Sequence, residues 1–361
     1  MGVLSDNAII GASNASGYDI EQSMYIGDGA QSGPKLQRTC GTPEGTNALT
    51  ISSWYKKGSP NTGSKTIFSW IVKTTSSTLP YAYLEVLNDF PGEAASLHWA
   101  GYSGSGYAWN EYWSYDTKLR DWGAWMHVHL KISGTTAELY LNGNLTKTSS
   151  FNTGYYPISG SKMQIGCNDS NQLASAYFAD TYWIDGQALA PTEMGETNED
   201  TGQWVPIKYT GTYAGNSAFL NYSDSSDFGT DSSGLGNDFT ATSIPATQQK
   251  LDSPTNNFAT LNPLAKSMTS NLWTWAEGNL KASGSASTTG NNLATIGVSS
   301  GKWYWEVLYP SPSGTPMKWQ AGVYLVTSTG VNDKACLVRP GATTPNISID
   351  PGFPSSDSGQ S

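Results

Sequence analysis

Charge is scarce in this chain of 361 residues. Asp, Glu, Lys and Arg make up 13% of it, about half the usual share. Positive charge is the scarcer sign, with 19 Lys and Arg against 29 Asp and Glu and a net charge of -10. A nucleic-acid groove needs a basic stripe, and none exists, so no nucleic-acid partner is expected. There are three cysteines, Cys40, Cys167 and Cys336, far apart and odd in number. That excludes a disulfide framework and a Cys-x-x-Cys metal pair. No apolar run approaches the ~18 residues of a membrane span, so no membrane insertion is expected. The first residues, MGVLSDNAIIGASNASGYDI, lack a basic region and a long apolar run, so no signal peptide is expected and synthesis in a cytoplasm is. G-x-S-x-G, P-loop, H-E-x-x-H and EF-hand patterns are all missing. So is the Glu-x-Asp-x-Glu strand with which some β-sandwich enzymes cut glucans. Glu85 and Glu138 stand alone, and Glu196, Glu199 and Asp200 crowd a turn-rich stretch. The expectation is a protein without a catalytic site.

What is abundant is the stuff of turns and strands. There are 39 glycines, aromatics reach 12%, and Ser, Thr and Asn recur throughout. The clearest stretch is 125–143, WMHVHLKISGTTAELYLNG. It alternates with period two, breaks at Ser133-Gly134, alternates again and closes on Asn142-Gly143, which reads as a hairpin of two antiparallel strands followed by a second turn. Met126, Val128, Leu130 and Ile132 share one face; Trp125, His127, His129 and Lys131 share the other. Further strands are read at 23–27, 48–58, 65–74, 81–89, 96–102, 161–169 and 176–189. Strands with turn punctuation and no helical pattern predict an all-β sandwich or jelly roll over 21–190. Residues 1–20 read as an N-terminal arm, either without order or docked on a partner. Residues 191–262 are polar and proline-punctuated, with short strands at 218–224 and 238–244, and read as an ordered β connector. Strand signals restart over 263–361, strongest at Trp303, Trp305 and Val307, while the tail beyond Pro340 reads as without regular structure.

Two clusters invite chemistry. The run 98–115 holds Trp99, Tyr102, Tyr107, Trp109, Tyr112 and Trp113 among Gly, Ser and Asn. Such rings can stack on sugars, as in adaptable recognition loops; they can equally close a thin sandwich core or pack between subunits. His127 and His129 lie i, i+2 on one strand face and could share a metal, but no third ligand stands at a diagnostic spacing. They read as surface histidines of the outer face.

W-x-H-V-x-L-x-I-x-G-x-x-x-x-L-Y-x-N-G at 125–143 resembles the signature of laminin-G-like, concanavalin-A-type jelly rolls, and FADTYWIDGQAL at 178–189 resembles the final strand of that family. SSGKWYWEV at 299–307 resembles the opening strand of a SPRY domain. The order of these segments, with IDGQALAPTEMGETN, TGQWVPIKYTGTYAGNSAFLNYSD, DSSGLGNDFT and LDSPTNNFATLNPL between them, is similar to a family of bacteriophage structural proteins. The fold so implied is a concanavalin-A-like jelly-roll sandwich at 21–190, the β connector, and a second, partial SPRY-like sandwich. A SPRY domain needs roughly 120 residues or more, so the stretch 263–361 is expected to be truncated, divergent or completed by another chain, and the edges an incomplete sandwich would expose favour an assembled state. The resemblance implies a virion component of the tail-fibre, spike or capsid-appendage kind, partnered by other virion proteins and copies of itself. It implies host-surface carbohydrate as a ligand, with pure capsid decoration and a glycan depolymerase as the alternatives. It also implies a structural calcium, for which Asn168, Asp169, Asp180 and Asp185 lie in matching regions. The residues themselves read as Asx-turns, as do Asp224, Asp227, Asp231 and Asp238.

Overall fold

The computed structural model describes residues 17–27, 33–45, 47–58, 63–71, 80–88, 96–103, 105–113, 124–168, 174–199, 202–257, 259–266, 274–276, 281–283, 292–294, 321–327, 330–340 and 345–348. Secondary structure among them is strand, with three single-turn 3-10 helices. In chain order the strands are β1 (Ser23–Ile26), β2 (Lys35–Thr39), β3 (Ala48–Lys57), β4 (Gly63–Ile71), β5 (Tyr81–Asn88), β6 (Ser96–Tyr102), β7 (Tyr107–Trp113), β8 (Met126–Ser133), β9 (Thr136–Leu141), β10 (Asn144–Ser150), β11 (Lys162–Ile165), β12 (Ala176–Asp185), β13 (Gly195–Thr197), β14 (Trp204–Pro206), β15 (Ala218–Leu220), β16 (Thr240–Thr242) and β17 (Gln249–Lys250). One sheet runs β10-β9-β8-β3-β12-β1-β17, with β15 also paired to β12; the other runs β16-β2-β11-β4-β5-β6-β7. All named pairings are antiparallel. This is a concanavalin-A-like jelly-roll sandwich.

The core follows from period-two alternation. Met126, Val128, Leu130 and Ile132 of β8 and Leu49, Ile51 and Tyr55 of β3 bury against Ala82, Leu84 and Val86 of β5 and Leu97 and Trp99 of β6. Asn142 and Gly143, both at positive φ, form the tight primed turn that Asn-Gly favours between β9 and β10. Strand β12 contains a bulge: Ala179 pairs with Trp54 and Tyr182 with Ser52, so Asp180 and Thr181 together oppose Ser53. Asp180 sits at φ 40°. The extra residue shifts the alternation, so Phe178 before it and Trp183 after it both face the core.

Residues 191–262 do more than link. They add β15 and β17 to one sheet and β16 to the other. Between them they cover the outer face of the β3-β8-β12 sheet, where Ile20, Tyr25, Trp54, Trp125 and Tyr177 form a second apolar cluster with Trp204 packed on it. The chain divides into two compact units, the first holding residues 1–265, 274–283 and 292–297. Strands β18 (Leu261–Lys266), β19 (Thr274–Ala276), β20 (Lys281–Ser283) and β21 (Asn292–Ala294) pair as β18-β21 and β19-β20. In the second unit β22 (Ala321–Thr327), β23 (Gly330–Pro340) and β24 (Pro345–Ser348) form an antiparallel sheet. The tail expected to lack regular structure thus carries β24. Trp303, Trp305 and Val307, with the rest of the SPRY-like stretch 299–307, lie outside the described residues, as do residues 1–16 of the arm.

Candidate functional site: a tyrosine-rimmed polar face on β5, β6 and β7

Because Ala82, Leu84 and Val86 point inward, Tyr81, Tyr83 and Glu85 of β5 stand on the outer face of their sheet. By the same alternation His98, Ala100 and Tyr102 of β6 and Asn110 of β7 stand there too. The register lines them up in rows: Glu85 beside His98, Tyr83 beside Ala100 beside Asn110, and Tyr81 beside Tyr102 beside Tyr107. A β-bulge between Gly101 and Tyr102 brings Tyr107 into the last row.

The polar end of this face is hydrogen-bonded in series. Glu85 Oε1 lies 2.8 Å from His98 Nδ1, and His98 Nε2 lies 2.6 Å from the side-chain amide of Asn110. Glu85 and His98 are buried, whereas Asn110 is exposed. Glu85 Oε2 and Thr66 Oγ1 are buried without a hydrogen-bond partner, and these two residues are register partners on β5 and β4. Two orphaned polar atoms side by side are a place where a hydroxyl group or water gains bonds that the protein does not supply.

The aromatic end is a ring cluster. Tyr81 lies 5.4 Å from Tyr83 and 5.3 Å from Tyr102, centroid to centroid, and Tyr102 meets Tyr107 edge-on at 5.4 Å. His98 meets Tyr83 edge-on at 5.4 Å. The Tyr83 phenol is pushed well above its ordinary value by burial, then by its hydrogen bond to Tyr107 and by the nearby Glu85. Tyr107 is 51% exposed and Tyr102 half-buried. Apolar ring faces with hydroxyl edges, next to an exposed amide, suit a ligand that is itself part C–H surface and part hydroxyl.

This divides the aromatic run predicted to bind carbohydrate. Tyr102 and Tyr107 are on the outer face. Trp99 and Trp109 are a correction: both are buried between the sheets, Trp99 stacked on Phe151 at 6.0 Å and Trp109 edge-on to Phe151 and Tyr155 at 5.2 and 4.9 Å. Position 101, opposite Trp109, is glycine, and any Cβ there would run into the Trp109 ring. The run is strand, not loop, so alternation sends every second ring inward. Trp109→Ala is therefore expected to act on stability, lowering it by about 3–5 kcal/mol; a urea midpoint unchanged from the parent would contradict this placement. Tyr112 and Trp113 lie on β7, with side chains outside the described residues.

The histidines are a second correction. Expected at the surface, His127 and His129 are buried, because the 189–257 segment lies over them. Trp204 Nε1–H donates to His127 Nδ1 at 3.0 Å, and His127 Nε2 lies 2.6 Å from Ser52 Oγ. With Nδ1 accepting, the neutral ring carries its proton on Nε2 and donates it to Ser52. That tautomer cannot take a proton from the serine, so the Ser52–His127 pair is not a nucleophile and base, and neither nitrogen is open to a metal. His129 Nε2 bonds the Leu189 carbonyl oxygen at 3.0 Å.

Of the calcium candidates, Asn168, Asp180 and Asp185 lie among the described residues. Asp180 accepts from Tyr18 Oη at 2.5 Å and Tyr182 Oη at 3.5 Å, and burial pushes its carboxyl up to about 7. Asp185 Oδ2 accepts from the backbone N–H groups of Glu44 and Asn216 and from Asn216 Nδ2. Asn168 is buried, and Asp169 lies outside the described residues. Asp224, Asp227 and Asp231 each cap an amide two residues on, as Asx-turns do, and Asp238 caps Asp231 N–H. Among the described residues no group of three or more His, Cys, Asp or Glu stands together.

The Glu85–His98–Asn110 series was missed in the sequence, although its signal was present. Once β5 and β6 are read with Leu84 and Trp99 inward, Glu85 and His98 must share the opposite face. What the sequence does not state is the register that sets them side by side.

The sequence model of the family described as the Concanavalin A-like lectin/glucanases superfamily matches residues 28–195, which end shortly after β12. No curated protein matches in sequence. Among solved structures, a native heptameric SAP-like pentraxin from Limulus polyphemus is 18% identical, with a TM-score of 0.37, over 48% of this chain and 80% of that one. Domains LG4-5 of the mouse laminin α1 chain are 14% identical, with a TM-score of 0.34, over 53% of this chain and 48% of that one. CG-16, a homodimeric agglutinin from chicken liver, is 11% identical, with a TM-score of 0.26, over 40% of this chain and 99% of that one. At these identities the likeness is one of fold alone.

Proposed function

We propose that this chain is a non-enzymatic, carbohydrate-binding subunit of a bacteriophage virion, which holds host-surface glycan on the β5-β6-β7 face. The observation that carries the binding is the Tyr81–Tyr102–Tyr107 row, half open to solvent, running into the exposed Asn110. The superfamily description, lectins and glucanases, fits the same reading. The virion assignment rests on the order of segments from 125–143 to 299–307, and on the charge-poor β composition. Partners are then other virion proteins and further copies of this chain. Hydrolysis by the retaining or inverting route needs two carboxyl groups facing one another across ~5–10 Å. The described part of this face offers one, Glu85, and that one is bonded to His98.

A glycan array with purified protein tests the binding. Hits are expected, and Tyr102→Ala with Tyr107→Ala should weaken them about tenfold, the equivalent of ~1.4 kcal/mol of ring contact. An array without a single hit would leave the capsid-decoration reading. Product release from any bound glycan would replace binding by depolymerisation. Imaging of intact particles tests the location: density for this chain at a tail or capsid appendage is expected.

A further inference from the structure

The proposal of a glycan-binding face leaves open which glycans it takes and which group chooses among them. The outward side chains described on β5, β6 and β7 include Tyr81, Tyr83, Glu85, His98, Ala100, Tyr102, Tyr107 and Asn110. None is lysine or arginine. Lys162, on the same face of β11, is two strands from Tyr81, roughly 10 Å at ordinary strand spacing. Nothing on this grid offers the paired, bidentate cation by which a sugar carboxylate or sulfate is ordinarily held. Glu85 and the net charge of -10 both act against an approaching anion.

Asn110 is the polar group that reaches the surface. One end of its amide is tied to His98 Nε2 at 2.6 Å, and the ring is held from its other nitrogen by Glu85 at 2.8 Å. An amide carries a donor end and an acceptor end, so fixing one end fixes the direction and the polarity of the other. The second end of Asn110 has no protein partner among the described residues. It stands in the row next to that of Tyr102 and Tyr107, diagonal to Tyr102, with the small Ala100 as its neighbour on β6. A ring stacked on the tyrosines would bring its hydroxyl groups to that amide.

We infer that this face takes neutral glycans in preference to acidic ones, that Asn110 is the specificity-determining contact with the sugar hydroxyls, and that Glu85 is a positioning residue that holds Asn110 through His98. This rests on the glycan-binding reading above. The geometry gives each residue a separate signature. Removing the amide changes which sugars are preferred, because the hydroxyl pattern is no longer read. Removing the carboxylate loosens the ring and the amide together, without touching the sugar.

The test is an array of neutral galactosides, glucosides and mannosides beside sialylated, uronate-containing and sulfated glycans, probed with the full chain and three variants. The parent is expected on the neutral arm. Asn110→Ala should lower affinity at least tenfold and alter the rank order of the sugars, with a fall in the thermal midpoint no larger than the lost bond to His98 Nε2 accounts for. Glu85→Ala should lower affinity about tenfold, and Glu85→Gln, which keeps an acceptor for His98 Nδ1–H, should restore it. Preference for the acidic arm overturns the inference while the glycan-binding reading stands. So does an Asn110→Ala protein with the parent's affinity and rank order, or a Glu85→Gln protein no better than Glu85→Ala. Binding on neither arm overturns both readings.

Discussion

Asp252→Ala should be among the most damaging single substitutions in the first unit, with an expected loss of about 3–5 kcal/mol. The carboxylate lies under the 249–257 segment, 2% exposed, and its Oδ2 is 2.7 Å from the ammonium of Lys56, which is fully buried on the outer face of β3. Its Oδ1 accepts from Trp125 Nε1–H at 2.8 Å, and its backbone carbonyl oxygen accepts from Ser23 Oγ at 2.6 Å. Once the carboxylate is gone, the contacts of Lys56 include Asn257 Oδ1, a neutral acceptor at 2.8 Å, and the face of Tyr177 at 5.9 Å. A fully buried ammonium loses the carboxylate 2.7 Å away and the indole N–H loses its acceptor, so the cost is one of desolvation rather than of one lost bond. The pair itself contributes less than its removal costs. Lys56→Met combined with Asp252→Leu should therefore recover much of the loss that either change causes alone. Urea unfolding at neutral pH measures this, with the slope of stability against urea held constant. A loss below 1 kcal/mol for Asp252→Ala would mean that the 249–257 segment does not seal this face.

Acidification from pH 6.5 to about 4 should cost the sandwich several kcal/mol through His127 and His129. Burial drives both imidazoles below their ordinary value of 6.5, His129 to about 4 and His127 well down, with His129 beside His127 adding to the effect. In the unfolded chain both rings take up protons near 6.5, whereas in the folded chain His129 does so only near 4. Through that window the unfolded state binds more protons, so stability is fully present above 6.5 and is lost as the pH falls. For His129 alone the shift is worth about 3 kcal/mol. Asp180 works in the opposite sense. Its carboxyl is held up at about 7 by burial, so its share of stability is present below the ordinary 3.8 and is lost as the pH rises through 7. The two contributions separate by substitution. His129→Gln should flatten the acid limb of the stability profile, and Asp180→Asn should steepen it. An acid limb identical in His129→Gln and the parent would show that His129 is not carried neutral into the core.

Both expectations depend on a cover that the sequence hints at only by composition. Residues 191–262 read as ordered, but nothing in their pattern says that Trp204 lies on His127 or that Asp252 reaches Lys56, 196 positions away in the chain. The same difference of scale governs the site. The alternation of β5 and β6 was legible, and with it the fact that Tyr81, Tyr83 and Glu85 share a face. Strand β7 was not, because serines and glycines flank its rings and the stretch reads as a loop. Once it pairs with β6, Trp109 turns inward and Asn110 outward. The pairing of Glu85, His98 and Asn110 then follows from register, which depends on turn geometry and on the bulge at Gly101 and Tyr102.

The sequence by itself determined the all-β class, the strand pair at 125–143 with its Asn-Gly turn, and which side chains of each regular strand go inward. Those are local properties, set by a two-residue period and by the backbone angles that Asn and Gly tolerate. The tertiary structure decided what becomes of the faces that alternation leaves pointing outward. On one sheet that face is roofed by the chain's own later segment, which turns two apparent surface histidines into buried neutral ones. On the other, the described strands keep Tyr107 and Asn110 at the surface. Alternation tells inside from outside for one strand, but whether the outside meets water depends on residues more than a hundred positions away.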